Sequence, residues 1–246
     1  MKICLNVGIG CGKAECEDTA VFNNTLVNDK TILLDSDVFR CIGVADGVGG
    51  NAGGRIASRY IAHQISQVNF LSMTQQDIYA FLTDINKDLI AHAASISNKS
   101  EMATTLTCVV AAKDGYYLIH AGNTRLYVMQ GSYLKQLTTD HTTYNWLMEC
   151  GQYEAAEICR KSEINCCFGG GTQKYANRLV IEKVFGDYFP DTLILTSDGV
   201  HDFVDIDFME NALSSNDSDS NAVQIIVEAA HKNGSTDDTT IIILRR

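Results

Sequence analysis

Acidic residues stand at four widely separated places in the sequence, each beside a turn or an apolar run. They are Glu17-Asp18, Asp46-Gly47, Asp198-Gly199 and Asp237-Asp238. Carboxylates at the ends of buried strands are costly to bury unless positive charge meets them. A hard divalent metal ion, which prefers oxygen ligands, is the simplest such charge. The pattern therefore predicts an acidic metal centre at the edge of a sheet.

The elements that would position these acids can be read from the runs beside them. Asp46 and Asp198 each close a short apolar run, and Asp237 with Asp238 precedes another. The glycines of 46–50 (DGVGG) permit unusual dihedrals that could bring the Asp46 carboxylate and nearby backbone carbonyls to one ion. Taken singly, each fragment is better explained as a β-turn next to a strand. Only the combination favours a metal site.

Periodicity predicts grouped strands and helices rather than strict alternation. Short runs of β-forming residues separated by tight turns indicate antiparallel strands. They cover residues 38–45, 104–112, 116–121, 126–129, 193–196 and 241–244. Apolar residues at helical spacing predict helices over 56–68, 78–90 and 222–231. The order favours an α+β fold in which helices cover antiparallel sheets.

Composition narrows the class of protein. The chain has 246 residues with 46% hydrophobic and 20% charged, which suits one large globular domain or at most two, and a single domain over 1–246 is expected. Its net charge of −11 argues against non-specific binding to nucleic acid or an anionic membrane. Nine cysteines at irregular spacings favour reduced thiols over disulfides or a zinc site. With no window long and apolar enough for a membrane span, a cytoplasmic protein is expected.

Seven ordered motifs together resemble the metal-dependent serine/threonine protein phosphatases of type 2C, in the style of their bacterial members. The resemblance runs from about Gly10 to Leu244, nearly the whole chain. Its motifs are 13–18 (KAECED), 46–50 (DGVGG), 103–106 (ATTL), 120–125 (HAGNTR), 137–141 (LTTDH), 195–200 (LTSDGV) and 237–240 (DDTT).

The resemblance implies a four-layer α-β-β-α sandwich with two central antiparallel sheets flanked by helices. It also implies a centre of two Mg²⁺ or Mn²⁺ ions at one end of the sandwich. Asp46 would bridge both ions, the Gly47 carbonyl would bind the second, and Asp198 and Asp237 would bind the first.

The implied reaction is hydrolysis of phosphoserine and phosphothreonine in proteins by a metal-activated water, without a phosphoenzyme. Glu17 and Asp18 would hold metal-bound waters. The expected catalytic residues are Lys13, Asp46 and Asp198. None of the cysteines lies in the Cys-x5-Arg pattern of a tyrosine-type phosphatase.

Three positions depart from the family pattern, and one of them is Val48, which stands where many eukaryotic members have a histidine. Lys13 replaces the arginine that grips phosphate, so the bidentate fork is lost and weaker substrate binding is expected. Asn123 replaces an aspartate that helps many members hold a third metal. A neutral amide is a poorer ligand for a hard cation, so a third metal is expected to be weak or absent.

The resemblance further implies a monomer whose substrates are phosphoproteins made by a serine/threonine kinase. Segment 142–172 would form a flap near the active site, and its apolar residues are expected chiefly to pack onto the body. Two other functions stay open on the sequence alone. One is a catalytically weak or dead phosphatase fold that serves as a binding module, and the other is a phosphatase of small-molecule phosphates.

Overall fold

The computed structural model describes residues 1–48, 53–216 and 218–246. Gly49 and Gly50 of the 46–50 motif (DGVGG) therefore lie outside the described residues. Its strands, in chain order, are Lys2–Gly8 (β1), Thr19–Phe22 (β2), Thr25–Val27 (β3), Lys30–Asp35 (β4), Cys41–Ala45 (β5), Gly47–Val48 (β6), Ala103–Thr104 (β7), Leu106–Ala112 (β8), Gly115–Ala121 (β9), Arg125–Gln130 (β10), Tyr133–Gln136 (β11), Phe168–Gly169 (β12), Val180–Phe185 (β13), Thr192–Thr196 (β14) and Thr239–Arg245 (β15). Its α-helices are Gly54–Gln67 (α1), Gln75–Ser95 (α2), Thr143–Glu149 (α3), Tyr153–Ile158 (α4), Asp198–His201 (α5), Ile206–Ser215 (α6) and Asp219–Lys232 (α7).

Two large antiparallel sheets form the centre of the fold. One has the strand order β11-β10-β14-β15-β1-β4, and the other has the order β13-β9-β8-β5-β2-β3. Every neighbouring pair in both sheets is antiparallel. A small third sheet, β12-β7-β6, extends beside the second. The antiparallel pairing predicted from the short turns is confirmed.

Three apolar clusters hold four layers together. The sheets pack face to face through side chains such as Leu5 of β1, Val44 of β5 and Leu195 of β14. Helices α1 and α2 cover the outer face of the second sheet, and α5, α6 and α7 cover that of the first. The structure thus confirms the expected α+β sandwich with helices on both outer faces.

Local signals explain where the long helices begin. Thr74 caps α2 by accepting from the Asp77 amide, while the Asp77 side chain accepts from the Thr74 amide, a reciprocal capping box. Ser218 caps α7, so this helix starts before the apolar pattern that predicted it. No helix of the described residues is both long enough and apolar enough to cross a bilayer.

The predicted acids lie at one end of the two sheets. Asp46 follows β5 directly, and Asp198 comes two residues after β14. Asp238 precedes β15, and Asp18 precedes β2. Because neighbouring antiparallel strands run in opposite directions, these strand ends and strand starts meet at the same edge.

Candidate metal centre

The backbone around Asp46 is fixed by two neighbouring threonines. The Asp46 amide donates to the Thr105 hydroxyl at 3.0 Å, and the Asp46 carbonyl accepts from the Thr105 amide at 2.8 Å. The Thr104 hydroxyl donates to the same carbonyl at 2.8 Å. The ATTL motif therefore holds the residue that the sequence places at the middle of the site.

Close packing explains why glycine follows both Asp46 and Asp198. A Cβ on Gly47 would lie 2.4 Å from the Gly54 carbonyl carbon, and a Cβ on Gly199 would lie 2.0 Å from the Asp238 carbonyl oxygen. Neither glycine is among the residues with positive φ. At Gly47 the close approach of α1, and not a special φ, requires glycine, while Gly49 and Gly50 of the same motif lie outside the described residues.

Two aspartates have one satisfied and one unsatisfied carboxylate oxygen. Asp18 is 1% exposed and accepts from the Thr240 hydroxyl at Oδ2, at 2.6 Å. Asp198 accepts from Asn123 Nδ2 at Oδ2, at 2.8 Å. Asp18 Oδ1 and Asp198 Oδ1 are buried and have no hydrogen-bond partner. Buried anionic oxygens without a hydrogen-bond partner are suited to bind a cation.

Lys13 meets a second group of acids beside them. Its Nζ forms a short ion pair with Asp237 Oδ1, lies 3.1 Å from Asp238 Oδ2 and lies 3.8 Å from Glu17 Oε2. Burial lowers the pKa of Lys13, but the pairs with Asp237 and Asp238 outweigh this effect and raise it. The ammonium group therefore remains charged among the carboxylates.

The shifted pKa values show that the acids crowd one another. Burial raises the pKa of Asp46 well above its ordinary value, and the charges of Asp18, Asp198 and Asp237 raise it further. Burial raises the pKa of Asp18 to about 7. Burial and the charge of Asp237 raise the pKa of Asp198 to about 6, although the hydrogen bond from Asn123 opposes this. The structure thus brings together acids that are far apart in the sequence.

This group of side chains fits a hard divalent cation by its chemistry. Its donors are carboxylate oxygens, two of them buried without partners, and mutual repulsion disfavours the charged forms. Across 1–48, 53–216 and 218–246, no three acidic, histidine or cysteine side chains already surround one point at metal-ligand spacing. The fit therefore rests on the unpaired oxygens and the charge of the cluster.

Asp238 is the residue that sequence reasoning left without a role. It is 2% exposed, and its two oxygens accept from the Gly10 and Glu17 amides, both at 2.7 Å. Asp238 thereby fixes the backbone that carries Lys13 and Glu17. The doubled Asp237-Asp238 was the available signal, but two identical neighbours do not reveal which carboxylate faces inward.

The flap segment 142–172 borders the centre through a cavity of about 520 Å³. Asn123 and Asp202 line the cavity on the body side, and Tyr144 and Lys161 line it on the flap side. Trp146 is 43% exposed and Tyr153 is 61% exposed, so the expectation that flap aromatics pack onto the body is wrong for them. It is right for Phe168, which is fully buried.

Comparisons of sequence point to one family. The sequence profile described as Protein phosphatase 2C matches residues 19–228. The serine/threonine phosphatase stp of Listeria welshimeri is 28% identical over 217 residues, which cover 82% of this chain and 83% of the relative. A putative protein phosphatase 2C-type of Streptococcus pyogenes is 26% identical over 252 residues, covering 99% of this chain and 97% of the relative.

Solved structures share the fold. The serine/threonine phosphatase Stp1 from Staphylococcus aureus superimposes with a TM-score of 0.77 at 22% identity, covering 99% of this chain and 94% of that one. The Mycobacterium tuberculosis serine/threonine phosphatase PstP/Ppp gives a TM-score of 0.76 at 21% identity, with 99% and 98% covered. At these identities the likeness establishes the architecture, including both central sheets.

Proposed function

The chain belongs to the protein phosphatase 2C family and is a protein serine/threonine phosphatase, and from this premise we propose how its residues carry out the reaction. In this proposal the enzyme hydrolyses phosphoserine and phosphothreonine with two Mg²⁺ or Mn²⁺ ions. Water attacks the phosphorus directly, and no phosphoenzyme forms.

One observation carries the proposal. The carboxylates of Asp18, Asp46 and Asp198 converge, and buried oxygens of Asp18 and Asp198 have no partner. A cluster of this kind is destabilising unless cations neutralise it, and phosphoryl transfer is the chemistry for which paired hard cations are best suited.

The residues proposed to hold the ions are those predicted from the sequence. They are Glu17, Asp18, Asp46, Gly47 through its carbonyl, Asp198 and Asp237. Bound there, the ions would lower the pKa of water and neutralise phosphate charge. Thr104 and Thr105 fix Asp46, and Asn123 fixes Asp198, so the ligands are held by hydrogen bonds from the fold.

Lys13 is proposed to attract the phosphate group of the substrate. The Lys13 side chain is 30% exposed and its ammonium lies among Glu17, Asp237 and Asp238, so it brings positive charge to the mouth of an otherwise acidic site. It does so as a point charge without the bidentate geometry of arginine.

A cysteine nucleophile is not needed in this scheme. Cys16 is the cysteine next to the acidic cluster, and it is 2% exposed. Burial and the charges of Asp18 and Asp238 raise the pKa of its thiol. The thiol therefore stays protonated and unreactive at neutral pH.

A third metal is proposed to bind weakly or not at all. Asn123 points its amide nitrogen, a donor, at Asp198 Oδ2, so it cannot offer that side to a cation. Its Oδ1 is neutral and therefore a weaker ligand than a carboxylate.

The proposed setting follows the family. We expect one domain over 1–246 acting as a cytoplasmic monomer on phosphoproteins made by a serine/threonine kinase. The net charge of −11 disfavours nucleic acid or an anionic membrane as partner.

Hydrolysis of para-nitrophenyl phosphate and of a phosphothreonine peptide tests the proposal. Both should require Mn²⁺ or Mg²⁺, stop with a chelator, and be abolished in Asp198→Ala. Rapid mixing with ³²P-labelled peptide followed by acid quenching should leave no label on the protein. Metal-independent turnover or trapped label would contradict the mechanism, and no turnover at all would favour a binding module.

A further inference from the structure

An open groove of about 640 Å³ runs along the outer side of α1. We call it the α1 groove, and the α1 residues lining it are Arg55, Ile56, Arg59, Tyr60 and His63. Ile56 and Tyr60 are partly buried against the core beneath, so they form an apolar floor. Arg59 and His63 are exposed at its rim.

The α1 groove is basic although the protein is acidic. Arg55, Arg59 and Lys99 line it together with one carboxylate, Glu15. Glu15 already pairs with Arg55 at 3.2 Å, whereas no ion pair of Arg59 occurs among residues 1–48, 53–216 and 218–246. The chain as a whole carries a net charge of −11. Positive charge concentrated on one face of such a protein favours an anionic partner there.

One end of the α1 groove lies near Glu17 of the candidate metal centre. Gly54 begins α1, and a Cβ added to it would lie 2.6 Å from Glu17 Oε1. Glu15, which lines the groove, is two residues before Glu17. A chain lying in the α1 groove would therefore enter beside the acids proposed to bind metal.

We propose that the α1 groove binds an acidic segment of the phosphoprotein substrate adjacent to the phosphorylated residue, an inference that rests on the proposed function. Aspartate or glutamate side chains pair with Arg59 at the rim, while the peptide backbone covers Ile56 and Tyr60. The groove thus offsets the repulsion that acidic substrates meet at the carboxylates of the centre.

The length of the α1 groove determines how far from the phosphorylated residue the acidic residues of the substrate can lie. The ten residues from Gly54 to His63 span about 14 Å of helix. An extended peptide covers that distance with about four residues. Acidic residues within about four positions of the phosphorylated residue are therefore in reach of Arg59 and its neighbours.

Three phosphothreonine peptides of equal length test the proposal. They carry aspartate, asparagine or lysine at the four positions on each side of the phosphothreonine. We expect kcat/KM for the aspartate peptide to exceed that for the asparagine peptide about tenfold at low salt, and the difference to shrink as salt screens the charges. Arg59→Glu should remove the preference, while para-nitrophenyl phosphate is hydrolysed as by the wild type.

Lys30→Glu is the matched control, because Lys30 is exposed on β4, outside the α1 groove. It makes the same charge change and should keep the preference for aspartate. Equal kcat/KM for the aspartate and asparagine peptides in the wild type would overturn the proposal. So would equal losses in Arg59→Glu and Lys30→Glu.

Binding separates this proposal from the proposed function. Fluorescence anisotropy of a labelled, unphosphorylated aspartate peptide should show binding that Arg59→Glu abolishes, whether or not the protein turns over any phosphate ester. Absence of that binding overturns the docking site alone. Binding of phosphatidylserine vesicles in place of the peptide, lost in Arg59→Glu, would overturn it in favour of a lipid surface.

Discussion

Asn123 donates a hydrogen bond from Nδ2 to Asp198 Oδ2 at 2.8 Å, across 75 residues of sequence. Asn123 is 3% exposed, and its own Oδ1 has no partner. The amide therefore faces the aspartate as a donor, and it lowers the pKa of a carboxyl that burial raises. A carboxylate at position 123 would instead place a second negative charge against Asp198.

Two replacements of Asn123 distinguish its support of Asp198 from its effect on the binding of a third metal. Asn123→Ala removes the donor and should lower kcat about tenfold, the cost of one buried hydrogen bond to a charged group. Asn123→Asp should lower the Tm of the metal-free protein, yet give higher activity than wild type at millimolar Mn²⁺, since a third ion gains a carboxylate ligand. Metal titrations followed with para-nitrophenyl phosphate measure the activities of both variants. Thermal unfolding of the metal-free protein measures the Tm. Unchanged activity and unchanged metal affinity in Asn123→Asp would contradict a role for this residue in excluding the third metal.

Metal binding should be visible in stability as well as in activity. Mn²⁺ at 100 times its Kd should stabilise the fold by about 2.7 kcal/mol, a rise in Tm of roughly 5–10 °C for a domain of this size. Asp46→Asn should lose most of that rise. It should also melt higher than the wild type without metal at pH 8, because the charges of Asp18 and Asp198 make a carboxylate at 46 unfavourable. Differential scanning calorimetry of Asp46→Asn and the wild type measures both the Tm without metal and the rise in Tm with Mn²⁺.

The control for that measurement is Glu182→Gln, at an exposed position of β13. It also removes one negative charge, but it lies outside the acidic cluster. It should keep the full rise in Tm with Mn²⁺. A rise that survives in Asp46→Asn would show that the ions bind elsewhere.

Lys13→Arg should strengthen the hold on phosphate. Lys13 Nζ is shared among Asp237, Asp238 and Glu17, so little of its charge is left for a substrate. A guanidinium can keep one of these pairs and still present two parallel donors to a phosphate. We expect KM for phosphopeptides to fall about threefold to tenfold with kcat little changed. An unchanged or raised KM would count against Lys13 as the phosphate contact.

The sequence was sufficient to predict that Asp46 and Asp198 lie at the ends of strands. Strand ends at Asp46 and Asp198 follow from short apolar runs that stop at Asp-Gly, and the structure places both at one edge. Such signals are local, because strand propensity and turn chemistry act within a few residues. The grouping of strands and helices likewise predicted helices that cover antiparallel sheets, and the resemblance implied the four layers.

The contacts between distant residues of the site could not be predicted from the sequence. Lys13 pairs with Asp237 across 224 residues, and no local pattern specifies such a partner. Gly47 is required by the approach of α1, a packing fact that only the folded chain contains. His141 of the LTTDH motif packs against His120 with ring centroids 4.6 Å apart, and no local pattern specifies that contact either.

That histidine pair supports the start of the flap. His120 is 2% exposed, and its Nε2 lies 3.0 Å from the Thr139 carbonyl. His141 is 5% exposed, and its Nδ1 accepts from the Gly122 amide at 3.3 Å, next to Asn123. Both rings are therefore built into the structure as neutral side chains. Protonation of His141 would remove this acceptor, and protonation of both rings would set two positive charges against each other.

The pair should make the fold sensitive to acid. Burial lowers the pKa of His120 to about 4, against weak opposing effects of the Thr139 carbonyl and Asp140. Burial, His120 and Arg178 lower that of His141 to about 3. Between pH 6.5 and these values the unfolded chain binds protons that the folded chain does not, so stability falls as pH falls. At pH 5 each histidine contributes up to about 2 kcal/mol of this loss.

Denaturant unfolding at pH 8 and pH 5 measures the effect. The double variant His120→Gln and His141→Gln should be less stable than the wild type at pH 8, because the contact between the rings and their hydrogen bonds are lost. It should nevertheless lose less stability on going to pH 5, since glutamine does not titrate. His92→Gln, at an exposed position on α2, is the control and should keep the wild-type change. An equal loss in the wild type and the double variant would show that other groups cause the acid sensitivity, because only the difference between them isolates the two imidazoles.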